Sequence, residues 1–95
     1  MSDLSPTDEL PALLKKIPAW ESEDGKTITR TIEFEEFMEG IEFVGTLAEI
    51  AEEAFHHPDI DIRYTNVTIA LTTHEQGGIT AADLEMAQRI DRLVD

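Results

Sequence analysis

A change of hydrophobic period near residue 35 constrains this chain more than any other feature. From Thr27 to Phe34 the residues alternate, with Ile28, Arg30, Ile32 and Phe34 pointing one way and Thr27, Thr29, Thr31 and Glu33 the other. That is the pattern of a half-buried strand, with Arg30 the one polar intrusion on its apolar face. From about Glu35 to Phe55 the spacing turns helical, and Phe37, Ile41, Val44, Leu47, Ala48, Ala51 and Ala54 form a continuous stripe. A strand period followed at once by a helix period predicts a sheet with a helix laid on it. Gly40 and Gly45 each weaken the helix by roughly 1 kcal/mol relative to alanine, so both read as points of close packing against that sheet. His57-Pro58 closes the helix, because proline disfavours helical geometry in the residue before it.

The remaining segments extend the pattern. Ser5-Pro6-Thr7-Asp8 reads as a capped helix start, with Leu10, Leu13, Leu14 and Ile17 turned to the core and a stop before Pro18. Trp20-Glu21 precedes a turn at Asp24-Gly25, a strong hairpin signal. Two more alternating runs, Ile60 to Thr65 and Val67 to Thr73, lead to the Gly77-Gly78 loop. A last helix opens at Thr80-Ala81-Ala82-Asp83 and carries Leu84, Ala87, Ile90, Leu93 and Val94. The expected fold is α+β, in the order αββαββα: a four-stranded antiparallel sheet with helices packed on one face, formed by residues 1–95 as a single domain.

Composition removes whole classes of function. The 95 residues have room for one modest core, and an apolar fraction of 41% is enough to pack it. No apolar run approaches the roughly 20 residues of a membrane span, and Met1-Ser2-Asp3 is not a secretory leader. With 21 acidic residues against 7 basic ones, the formal charge of −14 opposes binding to nucleic acid or to anionic membranes. That charge fits a salt-rich habitat and fits many mesophilic chains equally. The absence of cysteine excludes disulfides and thiol nucleophiles and suits a cytoplasmic protein.

The three histidines, His56, His57 and His74, sit at the ends of regular elements, where a scaffold can hold functional groups toward solvent. Histidine titrates near neutrality and suits proton transfer. The end of the long helix, together with Glu52 four residues earlier, favours the protonated form of His56 and makes it a candidate general acid. Plainer readings stand beside this one. A histidine at a helix end is commonly a cap or a surface residue, Asp83 stands where a capping-box acid belongs, and Trp20 fits either a core or a stacking surface. Adjacent helical residues point about 100° apart, so His56 and His57 make poor metal co-ligands. No phosphate loop, nucleophile elbow or catalytic triad is present, so spacing and chemistry alone reach only a small acid–base enzyme or a binding domain.

Glu52, His56-His57-Pro58, Tyr64, His74 and Asp83 stand at spacings that resemble the signature of pterin-4a-carbinolamine dehydratases. Trp20, Phe34, Phe37 and the run Leu71-Thr72-Thr73-His74-Glu75 are similar to the same family, so that the resemblance covers roughly residues 18 to 94. It implies a hydro-lyase that dehydrates 4a-hydroxytetrahydropterin to quinonoid dihydropterin in tetrahydrobiopterin recycling, with no cofactor and no metal. By the same resemblance His56 and His74 are the acid–base pair, and His57 binds and orients the pterin. Glu52, backbone groups of Thr72 and Thr73, and Trp20 as a stacking surface are implied as further pterin contacts, and Asp83 is left mostly structural. Phe55, where a polar residue is common in animal members, and Asp59-Ile60 depart from the family pattern. A homodimer or homotetramer is also implied, with the edge of Val67–Thr73 as an interface. The alternative is a non-catalytic relative that binds or assists assembly of another protein.

Overall fold

The computed structural model describes residues 14–22 and 24–94, with the backbone alone at His74. The expected helix start at Ser5 to Leu13 lies outside the described residues. Three strands form one antiparallel sheet: β1 (Ile28–Glu33), β2 (Asp59–Arg63) and β3 (Asn66–Leu71), in the order β1-β3-β2. Among the described residues two full helices accompany them, α1 (Phe37–Ala54) and α2 (Ala81–Val94), and a short 3-10 turn spans His74–Gln76.

The period-2 segment makes β1 because its alternation matches a sheet with one wet face. Ile28, Ile32, Val67, Ile69 and Leu71 are all buried, and the register Ile28↔Leu71, Arg30↔Ile69, Ile32↔Val67 puts them on one side. The other side carries Thr29, Thr31, Glu33, Thr68, Asp59, Asp61 and Arg63. Phe43 and Leu47 of α1 and Met86, Ala87 and Ile90 of α2 join the same core cluster, so both helices cover the apolar face. Arg30, the polar intrusion, is accommodated by an ion pair to Asp91 of α2, whose Oδ1 also accepts the Trp20 indole N–H at 2.9 Å.

Four expectations need correction. The described residues form three strands rather than four, because the segment at Trp20-Glu21 pairs with the sheet in a single bridge of reciprocal backbone hydrogen bonds between Glu21 and Thr29. The stripe of α1 is rotated: Gly40, Phe43, Leu47 and Ala51 are buried, whereas Phe37 is 44% exposed. Of the two helix glycines only Gly40 packs closely, where an added Cβ would stand 3.3 Å from Val67 Cγ2; Gly45 has open space around it. Finally, β3 is the central strand, paired on both sides, so the open sheet edges belong to β1 and β2 and not to Val67–Leu71.

Candidate active site

The end of α1 sets the site. Phe55 takes up a left-handed conformation (φ 53°, ψ 37°), with its N–H directed to Glu52 O and the His56 N–H bonded to Ala51 O at 3.1 Å. This is the Schellman pattern that terminates helices. It turns the chain sharply, so His56 leaves the helical path and reaches across to the first turn of α2. There its Nε2 meets Asp83 Oδ1 in a hydrogen bond. The sequence placed Glu52 beside His56, but the structure pairs Glu52 with His57 instead, Nε2 to Oε2 at 3.1 Å, both side chains largely exposed.

Asp83 is 0% exposed and its second oxygen is fully engaged. Oδ2 accepts the Thr80 backbone N–H at 2.8 Å and the Thr73 hydroxyl at 2.8 Å. The Thr73 and Thr80 hydroxyls lie 2.8 Å apart, and Thr80 Oγ1 accepts the Ala82 N–H at 3.3 Å. Because Thr73 gives its proton to Asp83, the Thr80 hydroxyl donates to Thr73, and the chain of hydrogen bonds runs one way into the carboxylate. A carboxylate only accepts, so the Nε2 of His56 carries the proton in their hydrogen bond. Nδ1 is the ring nitrogen left for a ligand. A buried carboxylate behind an imidazole fixes its tautomer and ring orientation, and it can offset the charge of an imidazolium during proton transfer.

Two adjoining open cavities meet at this pair. One, of ≈ 200 Å³, is lined by Phe55, His56, His57, Thr72, Thr73 and Glu75; the other, of ≈ 310 Å³, shares Phe55, His56, Thr73 and Glu75 and extends to Thr80 and Ala82. Together they are the size of a small-molecule site. A larger cleft of ≈ 470 Å³ lies at the far end of the helices, between Phe34, Phe43 and Leu93 with Glu33, Glu39 and Glu42 on its rim. Its lining contains no histidine, whereas His56 lines both smaller cavities.

The other expected residues are divided. His57 and Thr72 line the cavity. The backbone of Thr73 is not available to a ligand as expected, because its N–H bonds to Gly78 O at 2.8 Å and its C=O accepts from Gln76 and Gly78. Trp20 is 3% exposed within the core, its indole nitrogen held by Asp91, so it offers no stacking surface to this site. Tyr64 forms the β2–β3 turn at the end of the sheet away from His57 and is 77% exposed. The backbone of His74 opens the 3-10 turn directly after Thr73. What the sequence reading missed was the contact of Asp83 with His56. The capping-box spacing of Asp83 was the signal, and the residue does cap Thr80, but with one oxygen only.

The family model described as pterin 4 alpha carbinolamine dehydratase matches residues 3–93. The chain belongs to this family. Among its relatives is a protein of Mycobacterium sp. (strain KMS), provisionally named a pterin-4-alpha-carbinolamine dehydratase, 48% identical over 88 residues that make up 93% of each chain. The crystal structure of a transcriptional coactivator/pterin dehydratase from Brucella melitensis shares 29% identity and superposes with a TM-score of 0.91 over 98% of this chain and 100% of that one. A pterin dehydratase-like protein identified as a RuBisCO assembly factor in the alpha-carboxysome shares 25% identity and a TM-score of 0.63 over 78% of this chain and 84% of that one. Among the described residues no helix is long and apolar enough to cross a membrane.

Proposed function

We propose that the chain dehydrates 4a-hydroxytetrahydropterin to quinonoid dihydropterin by histidine acid–base catalysis. The observation that carries the reading is the His56–Asp83 pair beside two open cavities. Elimination breaks the C4a–O bond, and hydroxide leaves poorly, so an acid must protonate the departing oxygen. A base must take the N5 proton as the N5–C4a double bond forms. Water and the quinonoid product account for every atom. His56, working through Nδ1, and His74 share these two proton transfers. The oriented, carboxylate-backed ring suits His56 to the acid role, where the charge lost from the imidazolium is the charge Asp83 offsets beforehand. His57, held by Glu52 at the cavity wall, orients the pterin, and Thr72 is a further contact. Each positioned proton-transfer group contributes on the order of 10²–10⁴-fold. A second copy of the chain completes the working protein, as a homodimer or homotetramer.

The test is to generate the 4a-carbinolamine in situ with a phenylalanine hydroxylase and follow its dehydration optically. Wild type should accelerate it, and His56→Ala and His74→Ala should each lose about two orders of magnitude or more. A folded wild type with no effect on the rate would overturn the enzyme reading. The likeness to the RuBisCO assembly factor supports a second reading, a non-catalytic protein that assists assembly of a partner. That reading expects the inactive result and indifference to both histidine substitutions.

A further inference from the structure

We infer that Phe55 is the surface on which the flat bicyclic ring of the pterin stacks, an inference that rests on the proposed dehydratase reading for its ligand class. Phe55 occupies the position of the Schellman motif that glycine usually fills, because a Cβ is disfavoured at φ 53°, ψ 37°. A bulky residue there is a genuine outlier. Packing within the chain does not compensate for it, since Phe55 is 87% exposed, the most exposed large apolar residue among the described residues. A strained backbone holding out an unburied ring points to a gain made elsewhere.

Its location says where. Phe55 lines both cavities at the His56–Asp83 pair, and in the smaller one every other lining residue is polar: His56, His57, Thr72, Thr73 and Glu75. A pterin presents a π-face and an edge of donors and acceptors. The cavity offers one aromatic face and a rim of hydrogen-bonding groups to match. Trp20, the aromatic that the sequence suggested for this role, is buried on the Asp91 side of the core, so the stacking role passes to Phe55.

The experiment compares wild type, Phe55→Gly and Phe55→Trp by direct titration with 7,8-dihydropterin, which has no hydroxyl to eliminate, and by melting. Phe55→Gly should melt no lower than wild type, because glycine relaxes the left-handed position, while its Kd rises about tenfold. Phe55→Trp should keep wild-type affinity. In turnover the loss should appear in KM rather than in kcat. An unchanged Kd in Phe55→Gly overturns the inference, as does an unchanged Kd joined to a new sedimentation coefficient, which would assign the ring to contact between copies. Wild type that binds dihydropterin and loses it on Phe55→Gly, yet never dehydrates the carbinolamine, would sustain the stacking surface and overturn the dehydratase reading instead. Wild type that binds no dihydropterin overturns the stacking surface.

Discussion

Asp83→Asn changes one atom at the centre of the site, and the structure dictates how the amide must sit. The position of Oδ2 receives two donors, the Thr80 N–H and the Thr73 hydroxyl, at 2.8 Å each. A backbone N–H can only donate, so the amide carbonyl must take that place. The NH₂ group is then forced into the position of Oδ1, against Nε2 of His56. Two donors would clash, and His56 escapes only by moving its proton to Nδ1. That tautomer offers the cavity only the N–H of a neutral imidazole, a far weaker acid than imidazolium, and a charged ring would again set donor against donor. The expected loss in kcat is on the order of 10²–10⁴-fold, the full contribution of one positioned proton-transfer group. Stability should fall far less. The two capping bonds survive, and a charge-assisted hydrogen bond worth about 1.5–3 kcal/mol becomes a neutral one worth about 1 kcal/mol. At about 4–8 °C per kcal/mol for a domain of this size, this loss of about 0.5–2 kcal/mol should lower Tm by roughly 2–16 °C. Nitrogen-15 spectra of the histidine rings read the tautomer in the free protein, and the coupled hydroxylase assay reads the rate. A variant that keeps the proton on Nε2, or turns over within threefold of wild type, would refute this reasoning.

Other outcomes follow from the fold and its turns. Gly45→Ala should stabilise the protein by about 1 kcal/mol in urea denaturation, since nothing lies within 4 Å of the new methyl group; Gly40→Ala should gain nothing or lose, because its Cβ meets Val67 Cγ2 at 3.3 Å and Phe34 Cδ2 at 3.4 Å. Asp91→Ala removes the acceptor shared by the Trp20 indole and Arg30, and should cost about 2 kcal/mol in the same measurement with a change in tryptophan emission. The amides of Lys26 and Thr27, bonded to Asp24 Oδ1 at 2.8 and 2.9 Å, hold the Asp24 carboxyl below the usual carboxylate range. Because the folded value is the lower one, the turn keeps this support above pH ~3.9 and loses it as pH falls through the lowered value. Amide shifts of Lys26 and Thr27 should therefore titrate together with a midpoint below ~3.9, and Asp24→Asn should abolish the titration.

The period switch that begins the sequence argument is borne out in β1, α1, β3 and α2, which each bury one face; β2 forms where the sequence alternates but stays largely exposed. What spacing does not contain is which part of a wide apolar arc meets the sheet. Phe37 and Ala48, at one edge of the expected stripe, are exposed, whereas Phe43 and Ile50, beyond its other edge, join Val44, Leu47 and Ala51 toward the core. Strand order is hidden for a similar reason, since alternation says that a strand has a buried face and nothing about its neighbours. At the site, local explanations masked a distant one. Glu52 four residues before His56 and Thr80 three residues before Asp83 each supplied a satisfying nearby partner, so the contact between His56 and Asp83, from elements separated by two strands, left no mark on spacing.

The central position of β3 also sets a timetable for the chain leaving the ribosome. The β2–β3 hairpin joins across a two-residue turn and closes quickly, whereas β1, made first, must wait through the whole of α1 and β2 before its partner strand exists. During that interval its row of isoleucines is exposed, the interval in which an acidic, mutually repelling population of nascent chains resists aggregation best. Even the finished sheet lacks the His56–Asp83 pair, because one half precedes β2 and the other follows β3. A chain that stops short of Asp83 thus retains every strand and all three histidines, but not the carboxylate that orients His56.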